Sequence, residues 1–216
     1  MSTMANNLPL ISVSLLCAWL VTGIIFHFSK FKTMRPGNRF IFVLLVFALI
    51  RFAPVYDGMS VAHILRGILG DLSITTMLLF LTFLYSEIRG CNSCYKINNA
   101  LWLLIFIIGL TLCLSVFGCI PFDIYASGYF PKGLLIFYLI TQALFRQLNK
   151  KFTIFWLLAL VGYIFKVLPS PNLWDYLIDP VLWLVSLVCL IVFGFLKIKN
   201  RTKFLNPNFR FKTHYN

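Results

Sequence analysis

The stretch VAHILRGILGDLSITTMLLFLTFLY, residues 61–85, decides how this chain is read. It is long enough to cross a bilayer as one helix, because about 30 Å of hydrocarbon needs about 20 apolar residues. Yet it carries His63, Arg66 and Asp71. If the run is one helix, His63, Arg66, Gly67, Gly70, Asp71 and Thr75 share a stripe along one face. At 1.5 Å per residue, Asp71 then lies roughly 15 Å below the first turn, near the bilayer midplane. Charges there cost at least about 2.5 kcal/mol on insertion scales, so they face protein or water and find partners. Arg51, at the end of the preceding apolar run, and Arg66 are the candidate counter-charges for Asp71. The competing reading is an ion pair that only fixes helix packing, with Gly67 and Gly70 allowing close approach.

The rest of the 216 residues fits this setting. Apolar residues make up 60%, charged residues 12%, and mean hydropathy is +0.89. A soluble domain carries about 25% charged residues. The net charge of +13 does not indicate a nucleic-acid partner, since the basic residues punctuate long apolar runs instead of forming a hydrophilic stripe. Seven runs reach spanning length: Leu8–Ser29, Arg39–Val55, Val61–Tyr85, Ala100–Ile120, Tyr129–Phe145, Phe152–Leu168 and Leu177–Leu196. Their apolar residues cover every face and do not alternate, which predicts an all-α polytopic bundle of about seven helices.

Basic residues orient that bundle. With the N-terminus outside, fifteen of the 19 Lys and Arg fall on the inner side, leaving Arg51, Arg66, Lys132 and Lys166 outside. Lys and Arg resist translocation, so the expected topology is N-out/C-in. Residues 1–196 are read as one transmembrane domain and 197–216 as a basic cytoplasmic tail. Met1–Leu8 has no Lys or Arg, so the first helix is expected to stay uncleaved.

The outward connections are rich in turn and aromatic residues. Pro54-Val55-Tyr56-Asp57-Gly58 predicts a tight turn, and Asp179-Pro180 the start of a helix. Pro121 to Gly133 reads as an aromatic link in the headgroup layer, with Asp57, Asp123 and Tyr125 as secondary site candidates. Cys91-Asn92-Ser93-Cys94 has redox or half-zinc spacing, but it supplies two of the four ligands structural zinc wants and falls on the reducing side. No metal site and no cofactor are expected, and no hydrolase, P-loop or dinucleotide motif is present.

Leu65-Arg66-Gly67-Ile68-Leu69-Gly70-Asp71-Leu72-Ser73-Ile74 resembles the Gly-x-x-x-Asp-Leu-Ser pattern of the membrane regions of bacterial sulfatase-like, lipoteichoic-acid-synthase-like phosphoglycerol and phosphoethanolamine transferases. Phe122-Asp123-Ile124-Tyr125 resembles their Asp-x-Tyr segment. Together the two stretches cover about a quarter of the chain. That family carries an extracytoplasmic catalytic domain with a metal site and a Thr or Ser nucleophile, and this sequence has none. The resemblance implies a membrane module related to envelope glycerolipid chemistry, without the catalytic residues.

The expectation is therefore a bacterial inner-membrane protein with an outward-facing polar pocket of Arg51, His63, Arg66 and Asp71. Its ligand would be a lipid headgroup or lipid-linked envelope precursor, and its partners the bilayer and a separate envelope enzyme. A proton-coupled transporter of small solutes or ions using Asp71 and His63 is the first alternative; an intramembrane enzyme is the second.

Overall fold

A computed structural model describes residues 2–28, 34–90 and 97–205. The architecture is helical, as expected from the apolar runs. Its helices are α1 (Ser2–Phe28), α2 (Pro36–Phe52), α3 (Val61–Leu69), α4 (Ile74–Arg89), α5 (Asn99–Val116), α6 (Pro131–Leu148), α7 (Lys150–Ile164), α8 (Trp174–Leu177) and α9 (Pro180–Leu205). Within α1, α5 and α9, the segments Asn7–His27, Asn99–Val116 and Pro180–Lys197 are long and apolar enough to cross a membrane. The remaining long helices, α2, α4, α6 and α7, run to 17, 16, 18 and 15 residues.

Polar side chains set several boundaries. Asn149 ends α6 and begins α7, and its Oδ1 accepts from the amides of Lys151 and Phe152 at 3.0 and 3.2 Å. The chain therefore reverses on a single residue, where the polar run Arg146–Lys151 predicts two helices. Asn98 caps α5, Ser73 caps α4, and Asp179 caps α9 through Leu182 N at 2.8 Å. Such caps satisfy amides that a helix leaves without intrahelical partners. The last helix continues to Leu205, nine residues into the segment expected as a tail. The paired Cys91 and Cys94 lie outside the described residues, as do Lys30, Lys32, Lys96, Arg210, Lys212 and His214.

Two helix contacts depend on missing side chains. A β-carbon on Gly109 of α5 would sit 2.6 Å from the Trp183 ring of α9. One on Gly162 of α7 would sit 2.1 Å from Ile74 of α4. Small residues at such points let backbones approach, which is how apolar helices gain packing contacts without a hydrophobic drive between them. The main core gathers Leu79, Leu101, Ile105, Phe145, Phe152 and Trp156 from α4 to α7. A second cluster joins α1 to the start of α4 through Val13, Leu16, Leu72 and Phe80. Between α6 and α7, Gln142 donates to the Thr153 carbonyl at 3.2 Å, the interhelical role expected of a lone polar residue.

The deciding stretch departs from its reading. Residues 61–85 are two helices, because α3 stops at Leu69 and α4 starts at Ile74. Gly70 has φ 76° and ψ −166°, a conformation that is essentially glycine-only. The stripe from His63 to Thr75 therefore does not exist as one helical face. Asp71 precedes α4, whose 16 residues span about 24 Å, so Asp71 lies at the hairpin end of that helix and not midway along it.

Candidate functional site

The candidate site is the corner from Arg51 to Ser73. Helix α2 ends at Phe52, and the chain turns back through a small antiparallel hairpin, β1 (Pro54–Tyr56) and β2 (Met59–Ser60). Asp57 and Gly58 occupy its tip with φ of 46° and 73°. Positive φ at both central residues is the two-residue turn whose twist matches a hairpin, and Asp-Gly is a preferred pair for it. Asp57 is thus accounted for by turn geometry, and it is exposed.

From Ser60 the chain enters α3, which places Ala62, Leu65 and Leu69 inward and leaves His63, Ile64, Gly67 and Ile68 exposed. The Ser60 hydroxyl hydrogen-bonds His63 Nδ1 at 2.8 Å. One turn later Arg66 reaches past the end of its helix to Asp71. Its Nε donates to Oδ1 at 2.6 Å and its Nη2 to Oδ2 at 3.2 Å. The pair is a two-pronged fork, the strong geometry for guanidinium and carboxylate. Their side chains keep 25% and 30% of their surface accessible, so the pair is reachable by solvent or a ligand.

Arg66, and not Arg51, is thus the counter-charge of Asp71. Arg51 donates from Nη2 to Asn7 Oδ1 at 3.0 Å, tying α2 to the start of α1, and its guanidinium lies over the Phe52 ring at 5.1 Å. Nothing in the local sequence marks Asn7 as a partner of Arg51, since the two become neighbours only through the α1–α2 packing, whereas Ser60 and His63 are three residues apart at the start of α3.

The floor of the corner is fixed from the far end of the chain. Asp179 is buried, with one carboxylate oxygen capping α9 and Oδ2 accepting from Ser73 N at 2.7 Å. The Ser73 hydroxyl in turn accepts from Thr76 N at 3.1 Å. Asp71 therefore sits between a glycine-only break and a cap bonded across 106 residues of sequence. The Asp179-Pro180 pair was readable as a helix start; the cap at Ser73 and the bond between the two were not.

Asp123 and Tyr125 belong to a different network. Asp123 Oδ1 accepts from Ala126 N at 2.9 Å, closing a 3-10 turn at Ala126–Tyr129. The Tyr125 hydroxyl donates to Asp175 Oδ1 at 2.8 Å, and Ser170 to Asp175 Oδ2 at 2.5 Å. Asn172 Nδ2 and Trp174 Nε1 donate to the carbonyls of Tyr125 and Ile124 at 3.0 and 3.1 Å. Burial and the adjacent Asp175 carboxylate push the Tyr125 phenol well above its ordinary value. This network binds the 117–130 connection to the 165–179 connection, whose last residue, Asp179, also accepts from Ser73 N at the Arg66 corner.

Among the described residues, no group of three His, Cys, Asp or Glu side chains is placed to hold a metal ion. No family model, curated protein or solved structure matches the chain.

Proposed function

We propose that the chain is a multi-pass protein of a bacterial inner membrane, crossing seven times with its N-terminus outside. Its hairpin-end corner binds the anionic headgroup of a lipid or lipid-linked envelope precursor. Helices α1, α2, α4, α5, α6, α7 and α9 supply the seven crossings, and α3 with the hairpin forms an outer re-entry that does not span.

The observation that carries this reading is the accessible Arg66–Asp71 fork beside exposed apolar residues. Phe52, Val55, Tyr56 and Ile68, on the same segment from Arg51 to Ser73, are all more than 60% exposed. In a bilayer, apolar and aromatic residues at that level belong in the headgroup layer. A lipid phosphate approaching sideways would meet Arg51 and Arg66, with Asp71 holding the Arg66 guanidinium in place. The guanidinium donors that Asp71 holds fixed on Arg66 favour an anionic headgroup over a zwitterionic one, since charge-assisted bonds to a pre-aimed fork are the strong ones. The segment that resembles the envelope glycerolipid transferases, Gly67 to Ser73, contains this break and half of this fork.

Native mass spectrometry with dihexanoyl phosphatidylglycerol and dihexanoyl phosphatidylcholine tests the reading. The wild type should prefer the anionic lipid by about tenfold, equivalent to about 1.4 kcal/mol. The Arg51→Gln/Arg66→Gln variant should lose that preference. Equal binding of both lipids by the wild type, with proton-coupled uptake in vesicles abolished by Asp71→Asn, would replace it with the transport reading.

A further inference from the structure

A second surface lies at the opposite end of α2 and α4. An open groove of about 800 Å³ runs between these helices with Leu15 of α1 at its floor. That volume falls in the range of about 300 to 1,000 Å³ typical of ligand sites. Its walls are Phe40, Leu44 and Phe47 on α2 and Leu81, Tyr85 and Arg89 on α4. The residues recur at helical spacing, so each helix contributes one continuous stripe.

Length and charge identify the occupant. From Pro36 to Phe47 the groove follows twelve residues of α2, eleven rises or about 16 Å along the helix. This is about half of a 30 Å hydrocarbon core, the depth of one leaflet. Its interior is apolar, since the two hydroxyls in its lining are engaged: Thr82 donates to the Leu79 carbonyl at 2.7 Å and Tyr85 accepts from Arg89. A cation stands at the membrane-edge end. Arg89 is exposed, with Nε donating to Tyr85 Oη at 3.1 Å and the guanidinium lying 5.4 Å from the Tyr85 ring. Those contacts aim the guanidinium and hold it at the mouth.

We infer that this groove holds one phospholipid of the inner leaflet, with an acyl chain between α2 and α4 and an anionic headgroup on Arg89. An apolar slot one leaflet deep with a fixed cation at its rim is complementary to an anionic amphiphile. Bulk lipid would wet the slot without a headgroup preference. The inference does not rest on the outer corner, because the two surfaces share no residue.

The test is native mass spectrometry of protein released from nanodiscs containing equal palmitoyl-oleoyl phosphatidylglycerol and phosphatidylcholine. Two variants separate headgroup from chain. Arg89→Gln removes the cation, and Gly37→Trp fills the mouth, where a β-carbon meets nothing within 4 Å. The wild type should retain one phosphatidylglycerol in severalfold excess over phosphatidylcholine. Arg89→Gln should abolish the preference while keeping a bound lipid, and Gly37→Trp should lose the lipid altogether. An Arg51→Gln/Arg66→Gln control should leave this long-chain lipid in place, so failure here and failure at the outer corner read out separately. No retained lipid, or a preference unchanged by Arg89→Gln, overturns the inference.

Discussion

Two polar regions sit at the hairpin end of the bundle, and they are built in opposite ways. The 117–130 and 165–179 connections form a closed network. Asp175 takes two hydroxyl donors, Asn172 bonds across to the Tyr125 carbonyl, and the Tyr176 hydroxyl donates to the Leu168 carbonyl at 2.8 Å and accepts from its amide at 3.2 Å. Trp174 and Tyr176 are buried within it. The Arg66–Asp71 corner instead presents a solvent-accessible charged fork together with exposed apolar side chains. A closed network of satisfied groups holds a shape, whereas a fixed, accessible charge pair offers something to bind. On the proposed reading, the first region serves stability and the second recognition.

Breaking the closed network should give the largest effect. A β-carbon at Gly128 would fall 1.8 Å from Asn172 Oδ1 and 2.7 Å from the Trp174 ring. Gly128→Ala therefore forces the two connections apart and costs about 3 kcal/mol, from overpacking together with the loss of a buried hydrogen bond. Thermal unfolding in detergent measures it. The fraction that remains folded should still prefer the anionic lipid.

Gly70→Ala should affect stability less and binding more. The glycine-only conformation at Gly70 makes the substitution cost about 1 to 3 kcal/mol. Relief of that strain moves Asp71 away from Arg66. Lipid preference should fall even under conditions where the protein stays folded, which sharpens the contrast with Gly128→Ala.

The third prediction concerns pH and separates the regions without a large change in fold. The Tyr125 phenol is held above its ordinary value of 10 by burial and by Asp175. The folded state therefore keeps a proton that the unfolded chain releases near pH 10. Its contribution is complete below that pH and is lost as pH rises through and above it. Stability should fall more steeply above pH 10 in the wild type than in Tyr125→Phe, as followed by alkaline unfolding curves. Replacing residues of the Arg66 corner should leave that difference unaltered.

Much of the architecture was legible because it follows from local chemistry. Asp57-Gly58 encodes a hairpin turn, Asp179-Pro180 a helix start, and the polar residues from Arg146 to Lys151 a reversal. Three apolar runs give helices of membrane length in the places expected. The misreading at residues 61–85 has a physical cause. Apolar residues resume on both sides of Gly70, and their periodicity conceals a break that depends on one backbone torsion. The residue that starts the second helix, Ser73, is a single serine inside that apolar run. The site was half legible for the same reason. Arg66 and Asp71 are five residues apart and stood out as misplaced charges, whereas the links from Arg51 to Asn7 and from Ser73 to Asp179 exist only after the helices pack.

The decisive measurement compares two charge-matched variants by native mass spectrometry with dihexanoyl phosphatidylglycerol and dihexanoyl phosphatidylcholine. Arg66→Gln/Asp71→Asn removes the fork without changing net charge or leaving an orphaned ion. Removing both partners of this half-buried pair leaves no uncompensated charge, which limits the stability cost to about 1 to 2 kcal/mol. Tyr125→Phe alters the closed network at equal charge. The account predicts that the first variant folds and loses the anionic preference, while the second keeps it. A fork-less variant that still selects the anionic lipid as the wild type does would contradict it.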